Sequence, residues 1–291
     1  MIPAAFDYHA PTSLDEALSL LAAHGDEAKV LAGGQSLIPM MRFRLAEPGV
    51  LVDLSRVEGM AGVTEEDGHL WIGALTRHAE VERSDLIRKR YPLLHEAASV
   101  IADPIVRNRG TVAGSLVHAD PAGDWGSVML ACRAELEVHG PDGERMVPID
   151  ELFVTTFMTS LSPGDIVTGI RIPIAGERSG GAYEKLERKV GDFATVAVAT
   201  RLELADDGTC GQVGIGLTAV GATNLRAPDA EKALVGAKPD EAAIDAASRA
   251  AAEASSPTAD NRGSVEYKRD MVRVLSARAL RRAAARAGGE G

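Results

Sequence analysis

Ala32-Gly33-Gly34-Gln35-Ser36-Leu37-Ile38-Pro39 and Gly110-Thr111-Val112-Ala113-Gly114-Ser115 are the two stretches on which the reading of this chain turns. The first follows a segment that reads as a short strand, Lys29 to Leu31, and precedes a segment from Met40 to Leu45 that Ser36 is placed to cap as a helix. Paired glycines let backbone approach a bulky anion, and successive N–H groups in such a turn point into one concavity. Ser36 adds a hydroxyl, and the following helix start adds its partial positive charge. The second stretch repeats the composition, with hydroxyls at Thr111 and Ser115. Two such loops are able to grip one diphosphate from opposite sides. Neither contains G-x-G-x-x-G or G-K-[ST], so neither is a Rossmann fingerprint or a P-loop. A diphosphate held by amides alone suits a cofactor that stays bound and undergoes no phosphoryl transfer. Taken singly, each stretch is more often a plain turn.

Outward from the first loop, Ser13-Leu-Asp-Glu16 reads as a capping box, with helical spacing through Leu14, Ala17, Leu18, Leu21 and Ala22 to a stop at Gly25. Val50 to Leu54 reads as a strand, so the opening is a small α/β unit. Further on, His69 to Ala74 reads as a strand, and Thr76 as the cap of a short helix through Val81. Leu86 to Ile101 reads as an amphipathic helix that Pro92 breaks, and Ala102 to Asp124 as a loop with little periodicity. Trp125 to Cys132 reads as a buried helix. Leu136 to His139 and Arg145 to Val147 flank a Gly140-Pro141-Asp142-Gly143 turn, and Ile166 to Ile172 is one more strand. The small polar stretch Ala175 to Gly181 marks a boundary, dividing the chain into 1–176 (parts 1–56 and 57–176) and 177–291. In the second portion, strands Phe193 to Leu204 and Val213 to Val220 precede helices Pro239 to Ala254 and Val265 to Arg286, an α+β arrangement.

Composition narrows the function. Forty-two acidic against 31 basic residues, a net charge of −11, argue against a nucleic-acid partner, which needs a basic face. The start has neither a basic n-region nor an apolar h-region, and no apolar run is long enough to span a bilayer. Cys132 and Cys210 are the only cysteines, far apart and outside any C-x-x-C unit. An iron–sulfur cluster usually takes four thiolates, so this chain holds no conventional one by itself. A reducing compartment follows, the cytoplasm or the inner face of its membrane.

Together the two glycine-rich stretches resemble the flavoprotein (medium) subunit of the carbon monoxide dehydrogenase and xanthine dehydrogenase family. The similarity runs over nearly the whole chain. It takes in Phe6-Asp7-Tyr8, Ile72-Gly73-Ala74-Leu75-Thr76, Ile101-Ala102-Asp103-Pro104, Tyr183-Glu184-Lys185-Leu186 and Gly191-Asp192-Phe193-Ala194. The resemblance implies an α+β, vanillyl-alcohol-oxidase-like (PCMH-type) FAD-binding fold, with two α/β subdomains and a C-terminal α+β domain. It implies that Ala32, Gly33, Gly34, Gln35, Ser36 and Leu37 hold the FAD diphosphate from one side and Thr111, Ala113, Gly114 and Ser115 from the other. By the same resemblance Asp124 reaches the adenosine side, Ile101, Leu161 and Lys185 line the pocket, and His118 belongs to a polar loop beside the cofactor. Where the family often reads Thr-Ile-Gly-Gly-Asn this chain has Thr111-Val112-Ala113-Gly114-Ser115, which keeps the residues small and polar. Phe193 stands where relatives carry Tyr near the isoalloxazine, which leaves its effect on flavin reactivity open.

The implied role is a relay with non-covalent FAD. Substrate is oxidised at molybdenum on a large molybdopterin-binding subunit, and electrons cross [2Fe–2S] clusters on a small subunit to this flavin. They then leave to a quinone, NAD⁺, oxygen or a carrier, and the resemblance implies a dimer of heterotrimers. No residue need serve as a catalytic acid or base, and His118, Asp120 and Asp124 match no zinc spacing. Two other readings stand beside it: a stand-alone flavin reductase of the same fold, and an assembly subunit without flavin. Lys185, between Glu184 and Glu187, reads as a solvated strand face or as a pocket residue; Arg281, Arg282 and Arg286 read as an exposed helix face. Substrate and electron acceptor are not legible.

Overall fold

The structure is a computed structural model that describes residues 2–289. Its first part is built on a three-stranded parallel sheet. β1 (Asp7–His9) and β2 (Ala28–Leu31) both pair with β3 (Val50–Asp53), giving the order β1-β3-β2. Val50, Leu51 and Val52 are all buried, as a central parallel strand covered on both faces requires. α1 (Leu14–His24) closes one face through Ala17 and Leu21, one turn apart. Ser13 caps it as expected, accepting from the Glu16 N–H at 3.2 Å, but the Glu16 carboxylate takes the Thr12 N–H rather than that of Ser13. α2 (Leu37–Arg42) follows the first glycine-rich loop; Ser36 occupies the cap position without a side-chain bond.

The second part has a five-stranded antiparallel sheet in the order β4-β5-β10-β6-β7: Val63–Glu66, His69–Gly73, Ile166–Pro173, Glu135–Gly140 and Gly143–Pro148. Its helices include α3 (His78–Arg83), α4 (Asp85–Arg90), α5 (Pro92–Ser99) and α8 (Asp124–Cys132). Pro92 separates α4 from α5, as the sequence suggests. Two expectations here need correction. Thr76 does not cap α3: its hydroxyl bonds both backbone groups of Gly62, and Arg77 stands at the cap. The stretch 102–124 is not a loop, since it contains α6 (Pro104–Arg107) and α7 (Val112–His118). Both are too short to show helical periodicity, and each is fixed by its cap, Asp103 or Thr111. Between β7 and β10 the chain also forms α9 (Ile149–Leu152) and a two-stranded hairpin, β8 (Phe153–Thr155) with β9 (Met158–Thr159).

The third part is a four-stranded antiparallel sheet, β11 (Ser179–Leu186), β12 (Val196–Leu204), β13 (Cys210–Thr218) and β14 (Leu225–Arg226), with α10 (Pro228–Leu234), α11 (Glu241–Ala254) and α12 (Val265–Ala287) on one face. β11 begins inside the small polar stretch, and Phe193 precedes β12 rather than opening it. Along β12 the side chains alternate: Val196, Val198 and Leu202 enter the α11–α12 core, while Ala197 and Ala199 join the core of the second part. α8 lies between these two bodies, which is why all nine of its residues are buried. Its backbone comes so close to β13 that a Cβ at Gly216 would stand 2.0 Å from the Ser127 oxygen.

The last helix is not a free face. Arg282 pairs with Glu96 on α5 and with Glu184 at 2.6 Å, and Arg286 reaches Glu96 and the Gly181 carbonyl, both at 2.5 Å. Only Arg281 stays outward, paired with Glu241. The solvated reading of Arg282 and Arg286 is therefore overturned, because their acidic partner lies on a distant helix. Among the described residues no helix is long and apolar enough to cross a membrane.

Candidate functional site

The two glycine-rich stretches meet. A Cβ at Gly33 would fall 2.3 Å from the Arg109 carbonyl oxygen and 2.8 Å from the Gly110 Cα, so glycine is what lets the loops touch. Gly34 turns the chain with φ +72°, and the Gln35 amide N–H₂ reaches back to the Gly33 carbonyl at 3.3 Å. Among the described residues, the N–H groups of Gly33, Gly34, Gln35 and Ser36 have no protein acceptor. In the second stretch the Thr111 hydroxyl caps α7 by accepting from Gly114 N–H at 3.2 Å, while Ala113 N–H is likewise without a partner. Val112 N–H donates to the Thr76 carbonyl at 3.0 Å, which fixes this segment against the α3 entry. A cluster of unpaired amides at two touching loops fits an oxygen-rich anion such as a diphosphate. Leu37 anchors the first loop from below, packing on Leu31, Met41 and Leu51.

Asp124 opens α8 and is buried. Its carboxylate accepts from the Tyr183 hydroxyl at 2.6 Å and from Lys185 Nζ at 3.1 Å. Burial pushes this carboxyl above the ordinary range, against the pull of the Lys185 ammonium and the Tyr183 hydroxyl. The Tyr183 phenol is driven well up, first by burial and then by the charge of Asp124. Lys185 also donates to the Val100 carbonyl at 3.0 Å and stands 3.5 Å from Glu187, with its side chain only 3% exposed. The solvated-face reading of Lys185 is thus wrong. The strand carries it inward, over the residue preceding Ile101.

Ile101 is half-buried, and its carbonyl and that of Ala102 accept from Arg107. The loop after β11 packs on Ala102: a Cβ at Gly191 would stand 2.7 Å from its oxygen. Phe193, at the end of this loop, is 55% exposed, while its carbonyl accepts from Arg262 at 2.7 Å. Ser115 lies one turn into α7. His118 ends that helix with its ring 5.1 Å from that of Phe157, on the tip of the β8–β9 hairpin. Burial lowers the His118 pKa. Leu161, just beyond this hairpin, packs on the main core. A cavity of about 500 Å³ between Glu82, Arg83, His95 and Arg107 includes none of the loop residues.

Sequence reasoning passed over His78, Trp125 and Arg262 as site-shaping residues. His78 is buried and its Nδ1 accepts from Trp125 Nε1 at 3.0 Å, a pairing that no short spacing announces. Arg262 is tied to Asp192 at 2.9 Å across a comparable distance in sequence.

Comparison with known proteins agrees with this geometry. The model for the FAD binding domain in molybdopterin dehydrogenase matches residues 4–175, and that for the CO dehydrogenase flavoprotein C-terminal domain matches 181–283. The chain is 42% identical to the carbon monoxide dehydrogenase medium chain of Afipia carboxidovorans, over 99% of both chains. It is 39% identical to subunit alpha of the 6-hydroxypseudooxynicotine dehydrogenase complex of Paenarthrobacter nicotinovorans, over 99% of this chain and 97% of that one. Among solved structures, carbon monoxide dehydrogenase from Hydrogenophaga pseudoflava, in a form lacking the Mo-pyranopterin moiety, superposes with a TM-score of 0.95. There the identity is 43%, over 98% of this chain and 99% of that one. With two family models and full-length relatives in agreement, the chain belongs to the FAD-binding medium subunits of the molybdenum hydroxylases, the carbon monoxide dehydrogenase and xanthine dehydrogenase family.

Proposed function

We propose that this chain binds one FAD non-covalently at the touching glycine-rich loops and serves as the electron-relay subunit of a molybdenum hydroxylase. The observation that carries the reading is the contact at Gly33, which sets the unpaired amides of 33–36 beside that of Ala113. Ala32 to Leu37 on one side, and Thr111, Ala113, Gly114 and Ser115 on the other, hold the diphosphate by N–H and hydroxyl donors. Asp124, held by Tyr183 and Lys185, lies on the adenosine side of the cofactor. Ile101, His118, Leu161 and Phe193 flank the remainder. FAD, when bound, supplies the redox chemistry of accepting electrons and passing them on. The protein's part is to orient it and exclude water, and no side chain here is asked to move a proton.

Residues 1–176 form the cofactor portion in two parts, 1–56 and 57–176, and 177–291 form the portion that closes on it through Tyr183 and Lys185. The partners are a large molybdopterin-binding subunit and a small [2Fe–2S] subunit, in a dimer of heterotrimers within the cytoplasm. The substrate is set in the large subunit. Relatives of nearly equal identity bear names as different as carbon monoxide dehydrogenase and 6-hydroxypseudooxynicotine dehydrogenase, so likeness in this chain does not select one.

Acid treatment of the purified chain should release FAD; release of FMN, which offers a single phosphate, overturns the two-loop reading. Mixed anaerobically with its two partners and substrate, the chain should lose its visible flavin absorption. Bleaching by substrate with the isolated chain, or none in the full complex, refutes the relay.

A further inference from the structure

His78 begins α3 and is 5% exposed. Its backbone N–H donates to the Gly110 carbonyl at 3.0 Å, and Arg77 bridges to Thr111, so the α3 entry and the second loop run as a short antiparallel pair. The ring continues this contact. A Cβ at Gly110 would lie 2.7 Å from His78 Nε2 and 2.9 Å from its Cδ2, so the imidazole occupies the space that a side chain at 110 would need. Its other nitrogen, Nδ1, faces Trp125 Nε1 at 3.0 Å. An indole nitrogen only donates, so Nδ1 is the acceptor and the ring proton sits on Nε2, toward Gly110. Burial, with a smaller contribution from the Arg107 charge, lowers the His78 pKa to about 4, which keeps this single-proton form at neutral pH.

Trp125 is fully buried and immediately follows Asp124. One imidazole therefore connects the segment that touches Gly33 to the helix start that carries Asp124. We propose that His78 is a positioning residue of the cofactor site: its ring, oriented by Trp125, holds the Gly110 segment where the amides of both loops converge on the diphosphate. The inference rests on the FAD reading above and adds a residue to it that need not touch the cofactor. A shift of the ring moves Gly110, and Gly110 is the surface against which Gly33 is packed. Both halves of the diphosphate grip then loosen together.

A double-mutant cycle with two readouts tests it, namely the FAD dissociation constant and the thermal midpoint of the apo chain. Gly110→Ala forces a methyl group against the ring and should weaken FAD by about tenfold or more, the loss of roughly one charge-assisted hydrogen bond. His78→Ala removes the ring and should weaken FAD similarly. Combining the two should recover part of the loss, because the added methyl then fills the space the ring left. His78→Asn, whose Oδ1 takes the place of Nδ1 as acceptor for Trp125, should lose less than His78→Ala. Equal FAD affinity in all variants overturns the proposal, and so does coupling seen in the apo midpoint alone. Should His78→Ala fail to fold, the Gly110→Ala and His78→Asn arms still decide. A wild-type chain that takes up no flavin after reconstitution removes the FAD reading itself, whereas indifferent variants of a flavin-loaded chain remove only the role of His78.

Discussion

Gly33→Ala is the smallest perturbation that separates the two loops. The added Cβ would stand 2.3 Å from the Arg109 carbonyl oxygen, 2.8 Å from Gly110 Cα and 2.9 Å from the Arg109 carbonyl carbon. All three are backbone atoms, so no side chain is able to swing aside. Favourable contact between such atoms lies near ~3.5 Å, so the loops must part by about 1 Å. Overpacking of this kind costs the fold roughly 1–3 kcal/mol. The cofactor loses more, because donors on both sides of the diphosphate are displaced. With two charge-assisted hydrogen bonds lost at about 1.5–3 kcal/mol each, FAD should bind about 100- to 10,000-fold more weakly. The assay is titration of the apo chain with FAD, followed by flavin fluorescence, with circular dichroism to confirm the fold. Gly211→Ala serves as the control, since its Cβ would meet only the Glu203 oxygen at an ordinary 3.7 Å. A Gly33→Ala chain that binds FAD within about threefold of wild type would refute the claim that this contact builds the site.

Three further outcomes are expected. Lys185→Met leaves the buried Asp124 with one partner fewer, and stability in urea should fall by about 3–5 kcal/mol; a loss under about 1 kcal/mol shows the pair to be dispensable. Glu96→Gln weakens the joint with Arg282, Arg286 and the Tyr183 N–H, at a cost of about 1–3 kcal/mol; an unchanged urea midpoint means that α12 is held by its apolar face alone. For His78 the native pKa of about 4 lies below the ordinary 6.5, so the unfolded chain takes the proton first and acid favours unfolding. Its contribution, about 3 kcal/mol, is complete above pH 6.5 and lost as pH falls through about 4; His78→Asn should flatten this part of the stability profile, and an unaltered profile contradicts the assignment.

The local elements and the loops between them follow from neighbouring residues alone. The Ser13 cap, the Pro92 break, the Gly140–Gly143 turn and the apolar run of β3 each depend on residues within a turn or a strand of one another, so composition and period suffice to read them. The glycine-rich stretches belong to the same class, because an amide cradle is made by consecutive residues. Short capped helices escaped that reading: α6 and α7 are too brief for periodicity, and the glycines of the second stretch suggest a turn. Which distant groups meet is set instead by how the layers pack. His78 finds Trp125 47 residues away, Lys185 finds Asp124 across 61, and Arg282 reaches Glu96 across 186. Nothing in the local pattern of a buried lysine or a terminal arginine distinguishes it from a solvated one. The difference is made when the β11–β14 sheet stacks on α8, because burial forces each polar group to find a partner, and the partner is whatever the opposite layer presents.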